Sequence, residues 1–482
     1  MMMRITSSRI IAQSHSHGIR LRSVIDFSHA GDELRAPLMS LLTESKITLR
    51  LALPLMIGQL SQMLLGVTDT FMVGHLGVTE LATLTFVNSI FYLPFVFSLG
   101  LLTCISVHTA HARGGGDPTA ARSSCRNGLY IAIAVSILFI GLSLVLLPFL
   151  DRFGQPPAVV EISRSYFTIL MVSLLPALAS LALKNHADAL DRPWPPFWIF
   201  LGGVLLNILL NWIMIYGKWG FPELGMDGAA WATLISRVLI VVALFVWLET
   251  NKSLRDWVPY SWFRRPLKAD LLAHARIGLP ASFQMLCEVG AFSAAGFMMG
   301  RFGEIAMAAH QIAITCASAA FMIPLGLSMA LTVRTGSVAG AGETARLRAV
   351  VQSGWLLATA FGLLNAAAFF FAGSYWAAQF TNDLTVISLT VALLVIVGVF
   401  QLFDSVQVAS SSMLRGLHDT RIPAVMGFVA YWLIGLPVAM LLSWHWRMEA
   451  RGVWWGLAAG LFVACVTLGP RLRQLLRRME KI

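Results

Sequence analysis

Charge is scarce in this 482-residue chain. Asp, Glu, Lys and Arg make up 12% of it, where a soluble domain carries roughly 25%. A soluble protein of this size needs a charged skin that this chain cannot supply. The shortage argues against an ordinary soluble enzyme, a nucleic-acid binder and a disordered scaffold. Cysteine is also scarce. Cys104, Cys125, Cys287, Cys316 and Cys465 lie in or beside apolar runs, with no spacing that suggests a disulfide framework or a metal centre. His108 and His111 stand three apart without a Cys or acidic partner and read as a boundary cluster. The glycine-rich stretches 114–116 and 340–342 lack the Lys-Ser/Thr of a nucleotide-binding loop, so tight turns are expected there. No enzyme, ATPase or cofactor is expected.

What is abundant is apolar surface: 57% of residues, with a mean hydropathy of +0.74. At about 20 apolar residues per crossing, the chain predicts an all-α membrane protein of twelve spans. These fall near 48–72, 83–107, 127–150, 158–183, 194–216, 228–248, 273–299, 305–333, 350–373, 384–414, 422–443 and 452–470. The longest connection, 249–272, is polar and basic and divides the chain six plus six. The expected organisation is a disordered cytoplasmic tail (1–45), an N-terminal lobe (46–248), a cytoplasmic linker (249–272), a C-terminal lobe (273–470) and a basic cytoplasmic tail (471–482). With the N-terminus inside, the inner segments hold 28 Lys and Arg against 5 outside. That asymmetry predicts both termini in the cytoplasm. It also accounts for the net charge of +11 without a nucleic-acid partner.

The chain repeats itself at one fixed offset. Pro54 aligns with Pro280, Phe71-Met72-Val73-Gly74 with Phe297-Met298-Met299-Gly300, Leu99-Gly100-Leu101 with Leu325-Gly326-Leu327, and Arg122 with Arg348. Each half has an even number of spans, so the halves run parallel and are related by an axis along the membrane normal. Transporters built this way bind substrate between the halves.

Three carboxylates lie well inside spans, where each costs about 2.5–3.5 kcal/mol unless it serves a purpose. Glu288 is twelve residues past Arg276, and Asp404 is eleven before Arg415. Both therefore sit roughly 16–18 Å from the inner edge, at one depth. They can hold a cation between them or share a proton. Asp69 lies nearer the outer surface of the N-terminal half. Asn207 and Asn211 share a face of span five, and Gln284 and Gln407 flank the acids of the other half. Each amide is either a cavity-lining group or a helix–helix hydrogen bond. The GxxxG pairs Gly296–Gly300 and Gly456–Gly460 read as close packing.

Val67-Thr68-Asp69-Thr70, Cys287-Glu288-Val289, Ala308-Ala309-His310-Gln311-Ile312, Phe403-Asp404-Ser405-Val406-Gln407 and Leu414-Arg415-Gly416 resemble the multidrug and toxic compound extrusion (MATE) family, nearest its bacterial NorM-like members. The resemblance covers about residues 46–470. It implies two six-helix lobes in a bacterial inner membrane and export of drugs and organic cations in antiport with Na+ or H+. It also implies ion coupling or substrate binding at Asp69, Glu288 and Asp404, with Glu288 and Asp404 as possible Na+ ligands. Function as a monomer surrounded by lipid is expected. Two positions depart from some members: Asn211 replaces an acid, and Phe400 replaces a Tyr. A lipid-linked oligosaccharide flippase of the same superfamily is the alternative. Such a cavity should be basic, and the only span-buried basic residues expected here, Arg164 and Arg237, are placed near span ends.

Overall fold

A computed structural model describes residues 27–480, with side chains from residue 41 onward. Among the described residues every regular element is helical. Six spans form the first half. They are α1 (Phe27–Gly74), α2 (Val78–Gly114), α3 (Pro118–Leu146), the pair α4 (Pro157–Val172) and α5 (Leu174–Ala189), α6 (Trp194–Ile215) and α7 (Gly225–Thr250). The second half has α8 (Lys268–Met299), α9 (Glu304–Gly340), α10 (Thr344–Ala378) and α11 (Leu384–Gly416). It continues with α12 (Arg421–Phe428), the short α13 (Leu436–Met440) and α14 (Glu449–Met479). Segments Val429–Gly435 and Leu441–His445 are π-helical, so α12 and α13 belong to one span. Each of the twelve expected spans is a helix. Eleven are long and apolar enough to cross a membrane. The remaining one, α8, is diluted by His274, Arg276, Gln284 and Glu288.

Two expected boundaries shift. α1 begins at Phe27, inside the stretch expected to be a disordered tail, and residues 1–26 of that tail lie outside the described residues. α14 runs to Met479, through the expected C-terminal tail, because Leu472 and Leu476 are buried and Arg471 pairs with Asp419. The linker is tied to the first half. The Tyr130 hydroxyl donates to the Trp262 carbonyl, and a ring nitrogen of His186 lies 3.1 Å from the Trp257 carbonyl.

Local geometry repeats with the sequence. Gly116 and Gly342 are equivalent positions of the repeat and have φ of +68° and +72°, the left-handed turn that glycine enters without a Cβ penalty. Only the first copy is side-chain capped: Asp117 accepts from the Thr119 and Ala120 amides, while Glu343 makes no such bond.

Each half has its own apolar core. One centres on Leu102, Ile105, Phe167 and Leu174, the other on Leu393, Val397, Phe400 and Trp454. A third cluster joins α1 to α9, α10, α11 and α14. The halves touch at paired close approaches. A Cβ at Gly100 would run into the Ser282 backbone, and one at Gly326 into the Met56 backbone. Gly114 sits against Ser337, and Gly340 against His111. Carrying either contact of a pair across the repeat produces the other. The sequence repeat is therefore a two-fold-like interface, closed at the end where α2 and α9 finish. Of the GxxxG pairs, Gly456–Gly460 packs against Ala439 and Ala430 as expected. Gly296 and Gly300 make only ordinary contacts, with His310 and Met307.

Candidate functional site

Glu288 on α8 and Asp404 on α11 line one cavity of about 820 Å³. Its walls are largely apolar and include Phe292, Phe297, Phe321 and Phe400, and α9 adds His310 and Gln311. Tyr92, on α2 of the other half, also reaches it. Asp404 is buried and Glu288 half-buried. Asp404 Oδ1 has no hydrogen-bond partner among the described residues, and neither do the neighbouring Gln401 Oε1, Gln407 Oε1 and Tyr431 hydroxyl. Buried acceptors are normally satisfied. Unpaired oxygens beside two carboxylates suit a small cation or a shared proton.

The amides divide by role. Gln284 and Gln407 both donate to Ser411 Oγ, at 3.2 and 3.4 Å; the first bond ties α8 to α11, and the second lies within α11. Gln401 Nε2 donates to the Ala317 carbonyl at 2.8 Å, which leaves its oxygen free near the acid.

Asp69 lies apart from this pair, in the first half. Asn211 Nδ2 donates to Asp69 Oδ1 at 2.7 Å and to Asn207 Oδ1 at 3.1 Å, and Asn207 reaches Thr233 at 3.4 Å. The two asparagines of span five are thus the hydrogen-bonded partners of Asp69. A second cavity of about 1070 Å³ lies in this half, lined by Leu81, Phe86, Phe139, Phe167 and Met171 among others. Asp69 does not line it, and no ionisable residue does.

Three features escaped the sequence reading. Arg237 is at the middle of α7 rather than near a span end. Its guanidinium donates to Ser173 Oγ at 2.6 Å, lies over the Phe91 ring, and is near enough to Asp69 for their charges to interact. Asp188 is buried, and Lys184 one turn earlier pairs with it at 2.6 Å. Tyr431 is buried within charge range of both Glu288 and Asp404. A Tyr in an apolar run is a weak signal, but the chain has only seven, and Tyr92 and Tyr431 both stand inside predicted spans.

Comparison with known proteins gives a consistent result. The MatE family profile matches residues 54–213 and 280–441. The two matches start at Pro54 and Pro280, which are equivalent positions of the internal repeat. A protein of Agrobacterium fabrum described as a probable multidrug resistance protein NorM is 34% identical over 443 residues, spanning 90% of this chain and 95% of that one. The multidrug resistance protein NorM of Burkholderia vietnamiensis is 34% identical over 430 residues, spanning 88% and 92%. Among solved structures, a Vibrio cholerae MATE transporter superposes with a TM-score of 0.83 at 22% identity, covering 91% of this chain and 98% of that one. A multidrug resistance MATE transporter in an outward-facing conformation gives 0.82 at 22% identity, covering 91% and 97%.

Proposed function

The chain belongs to the MatE family, and from that premise we propose that it is a secondary active multidrug efflux transporter. It exports amphipathic, often cationic compounds from the cytoplasm in antiport with Na+ or H+ by alternating access. It spans the bacterial inner membrane with both termini inside. The observation that carries this reading is the Glu288/Asp404 pair facing an aromatic cavity that Tyr92 of the opposite half also lines. Aromatic faces and carboxylates both attract an organic cation.

The mechanism is competition. An incoming ion binds at the carboxylates and lowers the affinity of the site for a cationic substrate, which leaves to the outside. Loss of the ion to the cytoplasm restores that affinity. Two carboxylates with the free oxygens of Gln401, Gln407 and Tyr431 resemble the oxygen shell that a hard cation takes. Tyr431 supplies from span eleven a hydroxyl that Phe400 lacks, and this favours Na+. The flippase alternative calls for a basic cavity, and neither cavity has Lys or Arg among its lining residues.

The test is efflux from proteoliposomes at fixed pH, driven by an imposed Na+ gradient and then by an imposed pH gradient. Sodium-driven efflux that Glu288→Gln eliminates supports the reading with Na+. Efflux driven by the pH gradient alone moves the coupling to protons. Efflux in neither case, with the protein correctly inserted, overturns the transport assignment.

A further inference from the structure

Four histidines meet where the halves close. His108 and His111 come from α2 of the first half, His274 from α8, and His418 from the turn after α11. The ring centroids of His108 and His274 are 4.5 Å apart, those of His108 and His418 5.4 Å, and those of His111 and His418 5.0 Å. Each of these contacts joins one half to the other. A cavity of about 390 Å³ opens beside them, lined by His108, His111, His274, Asp117 and Asp270 among others.

The repeat shows what is unusual about this cluster. At the two-fold-related position, the halves are held by a permanent ion cluster. Buried Glu44 of α1 accepts from Arg334 of α9 and, at 2.7 Å, from Arg346 of α10. Across the repeat, Glu44 corresponds to Asp270 and Arg334 to His108. One side of the interface is thus closed by a carboxylate–guanidinium cluster, and the other by imidazoles, the side chain whose ordinary titration range lies nearest neutrality.

The surroundings set the sign. Asp270 already accepts from Ser123 Oγ at 2.9 Å and Asn127 Nδ2 at 3.2 Å. His274 reaches the Asp270 carbonyl at 2.8 Å and Ser124 Oγ at 3.4 Å. From α2, Arg113 is paired with Asp191. From α14, Arg471 holds Asp419. From α5, His186 is engaged by Thr109 and the Trp257 carbonyl. Asp117 caps α3 through the Thr119 and Ala120 amides. His108 Nε2 is buried with no partner. Asp270 lies within charge range of His274 and can offset one proton there, but a further proton on the neighbouring rings places like charges 4.5–5.4 Å apart across the interface.

We propose that the four histidines form an acid-sensitive latch. Neutral imidazoles let the halves close at this end, and protonation favours their separation. The inference rests on the alternating-access reading above. In the closed form the His418 ring lies 5.0 Å from His111 and 5.4 Å from His108, so each charged ring disfavours the charging of the next. Once the halves part, that mutual repulsion is lifted and the rings should titrate nearer their ordinary value of about 6.5. The open form then binds more protons between these limits, so acid shifts the balance toward opening. At neutral pH the cluster is uncharged and the latch stays shut.

Spin labels at Thr119→Cys and Ala345→Cys, repeat-equivalent positions on exposed turns of opposite halves, would report the separation. The background is the full chain in lipid nanodiscs with its five cysteines replaced. Between about pH 7.5 and about pH 5.5, a span that crosses the ordinary His range, the long-distance population should rise several-fold. His108→Gln with His418→Asn should cut that rise by at least half. His418→Asn alone is the milder variant, since Asn tolerates the left-handed backbone at this position (φ +64°). The acid response should survive in Glu288→Gln/Asp404→Asn, which separates the histidines from the intramembrane acids. An unchanged response in the histidine variants, or none in the parent, overturns the latch. Drug efflux at about pH 7.5, outside the titration range of the cluster, tests the transport reading separately. Its absence with an intact acid response would sink that reading and leave the latch supported.

Discussion

Asp404 and Glu288 face one cavity, but their burial differs: Asp404 is enclosed, with an unpartnered oxygen, while Glu288 is half-open. Asp404→Asn and Glu288→Gln should each reduce ion-driven efflux to background while leaving membrane insertion intact. Normal drug resistance in both variants at equal expression would remove the pair from the coupling mechanism. Tyr431→Phe deletes one free oxygen near them. If Na+ is the coupling ion, half-saturation for Na+ should rise about tenfold, as expected for losing a contact worth about 1.4 kcal/mol. Asp69 is held differently, by Asn211 and within the field of Arg237. Asp69→Asn should impair efflux of cationic drugs more than of neutral ones, compared side by side in proteoliposomes. An equal loss in both classes would assign Asp69 a coupling or structural role instead.

Helix termini and contact faces carry the next level of information. Gly100 and Gly326 admit the backbone of the opposite half where no side chain fits. Either Gly→Val change should destabilise by about 1–3 kcal/mol through overpacking, read as a lower thermal midpoint in detergent. Gly141→Ala, with open space around the site, is the control and should not destabilise. At the start of α11, the Thr385 side chain and the Thr385 and Val386 amides hold the Asp383 carboxyl below its ordinary value of 3.8. A lowered acid stabilises the folded state fully above its unfolded pKa, and that contribution is lost as pH falls through the folded value. Melts at about pH 5 and about pH 3, on either side of the ordinary Asp value, should show a smaller acid-induced drop in Asp383→Asn than in the parent. The effect should be slight because the site is fully exposed.

For the whole molecule, the repeat has copied a scaffold without copying a site. Across the repeat, Glu288 corresponds to Gln62 and Asp69 to Ala295, and residues 170–185 of the first half, which cover the depth of Asp404, hold no Asp or Glu. The two lobes share glycines, turns and the closing interface, yet only the second holds the paired acids. Orientation can be tested at the same scale. Cysteines at Lys218 or Gly303 should react with an impermeant thiol reagent applied outside cells, and one at Arg265 should not. The reverse labelling pattern would overturn the topology drawn from the Lys and Arg distribution.

By itself the sequence determined the membrane class, the twelve helices, the doubling and the three intramembrane acids. These follow from local quantities: hydropathy summed over about 20 residues, glycine and proline spacing, and the cost of a lone charge in lipid. The family resemblance read from Asp69, Glu288, Asp404 and their flanking residues is matched by the MatE profile over both halves. Which groups face one another was decided only by the tertiary structure. Asn211 lies 142 residues from the Asp69 it binds, Gln284 lies 127 from Ser411, and Glu44 lies 290 from Arg334. Tyr92, Tyr431 and Arg237 could not be assigned from their own segments, where each is one polar residue in an apolar run. His108 and His111 read as a boundary pair because their partners, His274 and His418, come from the other half. A side chain's neighbours depend on how helices are rotated and packed, and in lipid that packing follows close steric fit and interhelical hydrogen bonds rather than hydropathy.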